Sequence, residues 1–105
     1  MVNKRIKDFC KNYLADKDKI TLEKLNNNFE TCMNYLETLE LTDDDKVLVV
    51  DITTNLYQAM VILHSVINWV YLPNNEDTEL KQAYEDKFSE CINNTYRTAE
   101  LVVNK

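Results

Sequence analysis

Apolar residues recur three and four positions apart along most of this chain, and the recurrence falls into four runs. Ile6, Phe9, Cys10, Tyr13 and Leu14 follow the i, i+3, i+4, i+7, i+8 spacing of one helical face. They predict a first helix from about Asn3 to Asp16. The charged segment Asp16-Lys17-Asp18-Lys19 connects it to the next run. Leu22, Leu25, Phe29, Cys32, Leu36 and Leu39 then alternate three and four apart, the seam that packs against a near-parallel helix. Thr21 is the predicted N-cap of this second helix, which ends near Leu41.

The third run starts at Thr42. Asp43, Asp44 and Asp45 complement the positive end of a helix dipole, and Thr42-x-x-Asp45 has the spacing of a capping box. Three consecutive acids point in different directions on a helix, so they are not read as metal ligands. The third helix continues to about Leu72, where Pro73-Asn74-Asn75 stops it. Glu76, Asp77 and Glu79 crowd the start of the fourth helix, predicted from Asp77 to Val103. Leu80, Tyr84, Phe88, Cys91, Thr95, Ala99 and Val102 form its inner stripe.

Four helices joined by short connectors predict an all-α fold, a four-helix up-and-down bundle in one domain spanning 1–105. The third and fourth helices would each be about 40 Å long, and the first about half that. The bundle is therefore dominated by a long antiparallel hairpin whose far end lacks a cover within the chain. Uncovered apolar surface predicts self-association or a partner.

The third helix has an unusual second face. Ile52, Leu56, Ala59, Met60, Ile62, Leu63, Val66, Ile67, Trp69 and Val70 fill one arc of about 180° on a helical wheel. The other arc holds Thr54, Tyr57, Gln58, Val61, His64, Ser65, Asn68, Tyr71 and Leu72. It is polar and aromatic but uncharged, in a chain of which 29% is charged. A solvent face should carry Lys or Glu. Two readings stay open: the helix is central and covered on all sides, or this stripe meets a partner, an oligomer neighbour or a ligand. On the second reading the binding residues are Tyr57, His64, Asn68 and Tyr71, joined by Arg97. An antiparallel hairpin puts Arg97 opposite Val49 to Asp51, where it would pair with Asp51 or contact an anion beside Tyr57.

Composition narrows the function. The chain has 105 residues, no glycine and one proline. A phosphate-cradling loop or dinucleotide fingerprint needs glycine, so both are excluded. The net charge is −6, from 18 acids and 12 bases. That argues against nucleic acid and against anionic membranes. The stretch from Ile52 to Asn75 is free of formal charge and long enough to span a bilayer. Thr53, Thr54, Asn55, Gln58, His64, Ser65 and Asn68 make it too polar for an isolated span. Cys10, Cys32 and Cys91 are odd in number, widely spaced and set in apolar stripes, so they read as buried thiols of a cytoplasmic protein.

His64 is the only histidine, and no orienting acid or nucleophile sits at catalytic spacing from it. Neither HExxH nor Glu-x-x-His occurs, so no metal or cofactor is expected and the chain does not read as an enzyme. The abundant Asn and Lys often accompany the AT-rich genomes of phages and low-GC bacteria. The expectation is a small acidic binding protein that works by protein contact, as an inhibitor or immunity-type protein, and forms a homo-oligomer. The alternative is an oligomeric helical protein that sequesters a small molecule or nucleotide.

Overall fold

The computed structural model describes residues 2–17, 20–70 and 78–105, and they form four helices: α1 (Lys4–Ala15), α2 (Leu22–Thr38), α3 (Asp43–Val70) and α4 (Thr78–Val103). The expected all-α bundle is present. The predicted stop at Pro73-Asn74-Asn75 and the acids Glu76 and Asp77 lie outside the described residues, as do Asp18 and Lys19.

Side-chain caps set the helix starts. The Asn3 carboxamide oxygen accepts from Arg5 N at 2.9 Å, and Thr21 Oγ1 accepts from Lys24 N at 3.1 Å. Thr42 Oγ1 accepts from Asp45 N at 3.2 Å. The reciprocal half of the expected capping box is not made. The Asp45 carboxylate, almost fully buried, instead accepts from the backbone N–H of Asn3 at 3.1 Å. The side chain that was to close one helix end thus ties the starts of α1 and α3 together. Helix α2 ends at Thr38, three residues before the expected Leu41, where Leu39 turns extended at ψ 140°.

Named contacts fix the up-and-down topology. Helix α4 runs antiparallel to α3, with Thr98 against Asp51, Asn94 against Asn55 and Cys91 against Gln58 in one register. Helix α2 is likewise antiparallel to α3, since its Phe29 meets Tyr57 and its Cys32 thiol lies near the Thr53 side chain. Helix α1 packs on α4, with the Tyr13 hydroxyl 2.6 Å from Thr95 Oγ1 in the interior. The core is built from Ile6, Cys10, Leu25, Cys32, Val49, Ile52, Leu56, Ala59, Cys91, Ile92, Ala99 and Val102. Most belong to the stripes read from the sequence. Among the described residues, every buried side-chain nitrogen or oxygen has a hydrogen-bond partner.

Among the described side chains, full burial is confined to one end of the hairpin. Among them the last buried one on α3 is Ala59 and the first on α4 is Cys91. Between these points no described side chain is buried, although Met60, Ile62, Leu63 and Phe88 are apolar and partly covered. The cause is helix length. Helix α1 spans about 18 Å and α2 about 26 Å, whereas α3 spans about 42 Å. By length and composition α3 is apolar enough between Asp43 and Ser65 to cross a membrane, with mean hydropathy 1.4. Within that stretch Thr53 and Asn55 are buried and hydrogen-bonded, to Val49 O at 2.6 Å and Asp51 O at 2.9 Å.

Candidate functional site

Among the described residues, the third helix's second face lies at the surface and is not covered on all sides. Thr54, Tyr57, Gln58, Val61 and His64 are exposed, and Ser65 is half-buried. The described part of the face is touched along its edges, by Phe29 of α2 at Tyr57 and by Cys91 of α4 at Gln58. It also extends further toward the helix start than the sequence reading had it. Val47 is 67% exposed, Val50 48%, Tyr57 55% and Val61 48%. Val47, Val50, Thr54, Tyr57, Val61 and His64 therefore form an outward seam whose spacing alternates three and four. That is the a/d spacing of a helix-packing face. Val47 and Val50 precede the uncharged stretch that begins at Ile52, so the absence of charge does not mark them. The heptad spacing would have found them.

Helix α2 shapes one side of this face. The Phe29 ring lies 5.8 Å from the Tyr57 ring at an interplanar angle of 40°, which holds Tyr57 upright. Beside it a shallow groove of ≈ 630 Å³ runs between α2 and α3, lined on α3 by the uncharged Tyr57, Met60, Val61, His64 and Ser65 and on α2 by Leu22, Asn26 and the charged Glu23. Tyr57 and His64 are thus brought together, two helical turns apart on one surface. The side chain of Asn68 and all of Tyr71 lie outside the described residues.

Arg97 stands elsewhere. It is exposed on α4 and does not line the groove. Its expected ion pair with Asp51 is not formed, because the antiparallel register presents Thr98 to Asp51. The Asp51 carboxylate accepts from Thr98 Oγ1 and, at 3.5 Å, from the Asn55 amide. One residue along, Arg97 is turned about 100° away from that contact. Among the described residues the ion pairs are Lys24–Asp16 and Lys87–Glu90, both at 3.5 Å.

A second site escaped the sequence reading. Helices α1 and α2 barely touch, and they leave a cleft of ≈ 560 Å³. The Phe9 and Tyr35 rings meet edge to face at 6.0 Å toward one end, and the Asp16–Lys24 ion pair bridges the other. The rings of Phe9, Tyr13, Tyr35 and Tyr96 line the cleft; Phe9 stacks on Tyr13 at 6.0 Å and Tyr13 lies 5.3 Å from Tyr96. Arg5, Asn12 and Asn28 stand on its walls. The Tyr96 hydroxyl donates to Lys17 O at 2.6 Å, tying the end of α1 to α4. Tyr35 and Tyr96 lie off the core stripes, and their helical spacing carried no signal that they would converge.

The ionisable interior is chemically quiet. Burial pushes the Cys10 and Cys32 thiols up to about 12, and burial also carries the Tyr13 phenol to about 12 against the opposing hydrogen bond from Thr95. Burial likewise raises Cys91 and Tyr35. All three cysteines are free and buried. A thiol held protonated at neutral pH is a poor nucleophile.

The chain matches no protein-family model, no curated protein and no solved structure.

Proposed function

We propose that this protein is a small, non-enzymatic, cytosolic binding protein that acts through protein contact, and that the outward seam of α3 is its contact surface. One observation carries this reading. The seam is exposed, regularly spaced for helix packing and free of formal charge, in a chain whose net charge is −6. A solvent-facing helix of such a chain would normally carry charges. A face that contacts a partner avoids them, because each buried unpaired charge costs several kcal/mol. An inhibitory or immunity-type role follows from occlusion, in which the seam covers a working surface of the partner.

The test is capture of protein partners, second copies included, by tagged wild-type protein and by the Val61→Lys and Val61→Glu variants. Both variants should lose the captured protein, because an apolar contact rejects either sign of charge. Retention by both variants would remove the seam from the function. Retention by only one would make the contact electrostatic instead.

The cleft between α1 and α2 favours a second reading, a helical protein that holds a small molecule. Its volume lies within the ~300–1,000 Å³ typical of ligand sites. Its rings could stack a flat ligand while Asn12, Asn28 and Arg5 bind polar edges or an anionic group. A ligand at about 100 times its Kd should add about 2.7 kcal/mol of stability. Melting curves in nucleoside monophosphates, with Tyr35→Ala as control, test this. A rise seen in wild type and lost in Tyr35→Ala supports the ligand reading, and unchanged curves make the cleft a packing gap.

A further inference from the structure

We propose that the α3 seam and the groove beside it receive a basic amphipathic helix from another protein. That helix carries Lys or Arg at every seventh position along one edge of its apolar stripe. The proposal rests on the seam being a contact surface, and it names the chemistry of the partner.

A row of acids on α2 carries the argument. Glu23 lines the groove together with Asn26. Glu30 and Glu37 follow at intervals of seven residues, and seven residues bring a helix back to within about 20° of the same direction. The three carboxylates therefore share one edge of α2. The Asn26 amide donates to the Glu30 carboxylate at 3.5 Å, which ties Glu30 to a groove-lining residue. All three acids are exposed, and Met33 stands exposed between Glu30 and Glu37. The base of α2, Lys24, is turned toward α1, where it pairs with Asp16.

The register sets this row alongside the seam. Helix α2 is antiparallel to α3, with Phe29 on Tyr57. Glu30 thus stands abreast of Tyr57, Glu37 abreast of Val50, and Glu23 abreast of His64, with which it shares the groove. Along the described seam, an exposed uncharged residue of α3 and a carboxylate of α2 recur together about every 10.5 Å. A helix laid on this surface meets both in each heptad. Its apolar stripe covers Val50, Tyr57 and Val61 and reaches Met33, while one edge of the stripe faces the acids.

Charge selects the partner. Asp43 and Asp51 also border the seam, the second on the α4 side. Lys46 borders it at the start of α3, and Lys87 on α4 is held by Glu90 at 3.5 Å. Acids thus predominate around an uncharged centre. A neutral or acidic helix would leave the Glu23, Glu30 and Glu37 carboxylates without a counter-charge at the rim. A basic edge supplies it, and a body of charge −6 draws such a helix in at long range.

Fluorescence anisotropy of the full chain with three labelled synthetic helices of about three heptads tests this. All three carry the same Leu stripe on an Ala background. One has Lys at every seventh position beside the stripe, one has Glu there, and one has the same Lys on the face opposite the stripe. The Lys-edged helix should bind about tenfold more tightly than either of the others, and added salt should shrink that margin. The triple variant Glu23→Gln, Glu30→Gln, Glu37→Gln should lose the margin. The triple variant Asp8→Asn, Glu85→Gln, Glu100→Gln removes the same charge and should keep it. Its exposed positions lie on α1 and on the side of α4 turned from Asn94 and Thr98. Equal binding of the three helices, or no binding of any, overturns the proposal. Equal loss in the two triple variants also overturns it, because net charge alone would then be at work. The capture experiment stands apart from these outcomes, since loss of a captured protein in Val61→Lys keeps the seam as a surface for a partner of other chemistry.

Discussion

Between pH 8 and pH 11 the protein should lose on the order of 6 kcal/mol of folding stability, a large part of the ~5–15 kcal/mol typical of a domain. The cause is the buried proton set. Cys10 and Cys32 are raised from 9.0 to about 12 and Tyr13 from 10.0 to about 12. Below the unfolded-state values, folded and unfolded chains both hold these protons, and the groups leave stability unchanged. Above them the unfolded chain ionises and the folded chain cannot. Each pH unit of that gap costs about 1.4 kcal/mol per group, so stability falls as pH rises toward the folded-state values. Urea unfolding at stepped pH measures the slope. The double variant Cys10→Ala, Cys32→Ala should show roughly a quarter of the wild-type loss, since Tyr13 remains. An identical slope in that variant would mean that water reaches the thiols in the folded protein.

Leu56→Ala and Tyr57→Ala, one residue apart, should behave as mutations in different parts of the molecule. Leu56 has no solvent exposure and sits at the centre of the core, where truncation leaves a cavity. Its removal should cost about 3 kcal/mol. Tyr57 is 55% exposed and touches Phe29, so its removal should cost about 1 kcal/mol of monomer stability. Binding should show the reverse order, with Tyr57→Ala losing the partner. Denaturation midpoints at low concentration, set beside synthetic-helix binding by the same proteins, check both halves. Similar stability losses for the two would mean that α3 has a single buried circumference.

Those adjacent residues also show what the sequence makes legible. The four helices, their order and most of the core follow from three-and-four spacing, because burial of one stripe per helix is a local pattern. The missing charge on the second face of α3 is equally visible, and Tyr57 and His64 stand on the surface it marks. What could not be read is anything set by the register between helices. Thr98 rather than Arg97 meets Asp51 because of how α4 slides along α3, and no local pattern encodes that offset. The same holds for Asp45, whose carboxylate reaches the start of α1 across 42 residues of chain. The cleft depends on α1 and α2 standing apart, and it gathers Phe9, Tyr35 and Tyr96 from three helices. Its residues share no spacing in sequence.

The central claim is that α3 has two working faces, one spent on the core and one turned outward for contact. The most direct test is the unfolding free energy of the Thr54→Lys, Val61→Lys double variant in urea, at about 1 µM to limit any self-association. Lysine extends into water from an exposed helix position, favours helix more than Thr or Val, and here reduces the net negative charge. The double variant should therefore unfold within about 1 kcal/mol of wild type. A loss as large as that of Leu56→Ala would show that the second face is interior, and the contact surface proposed for it would not exist.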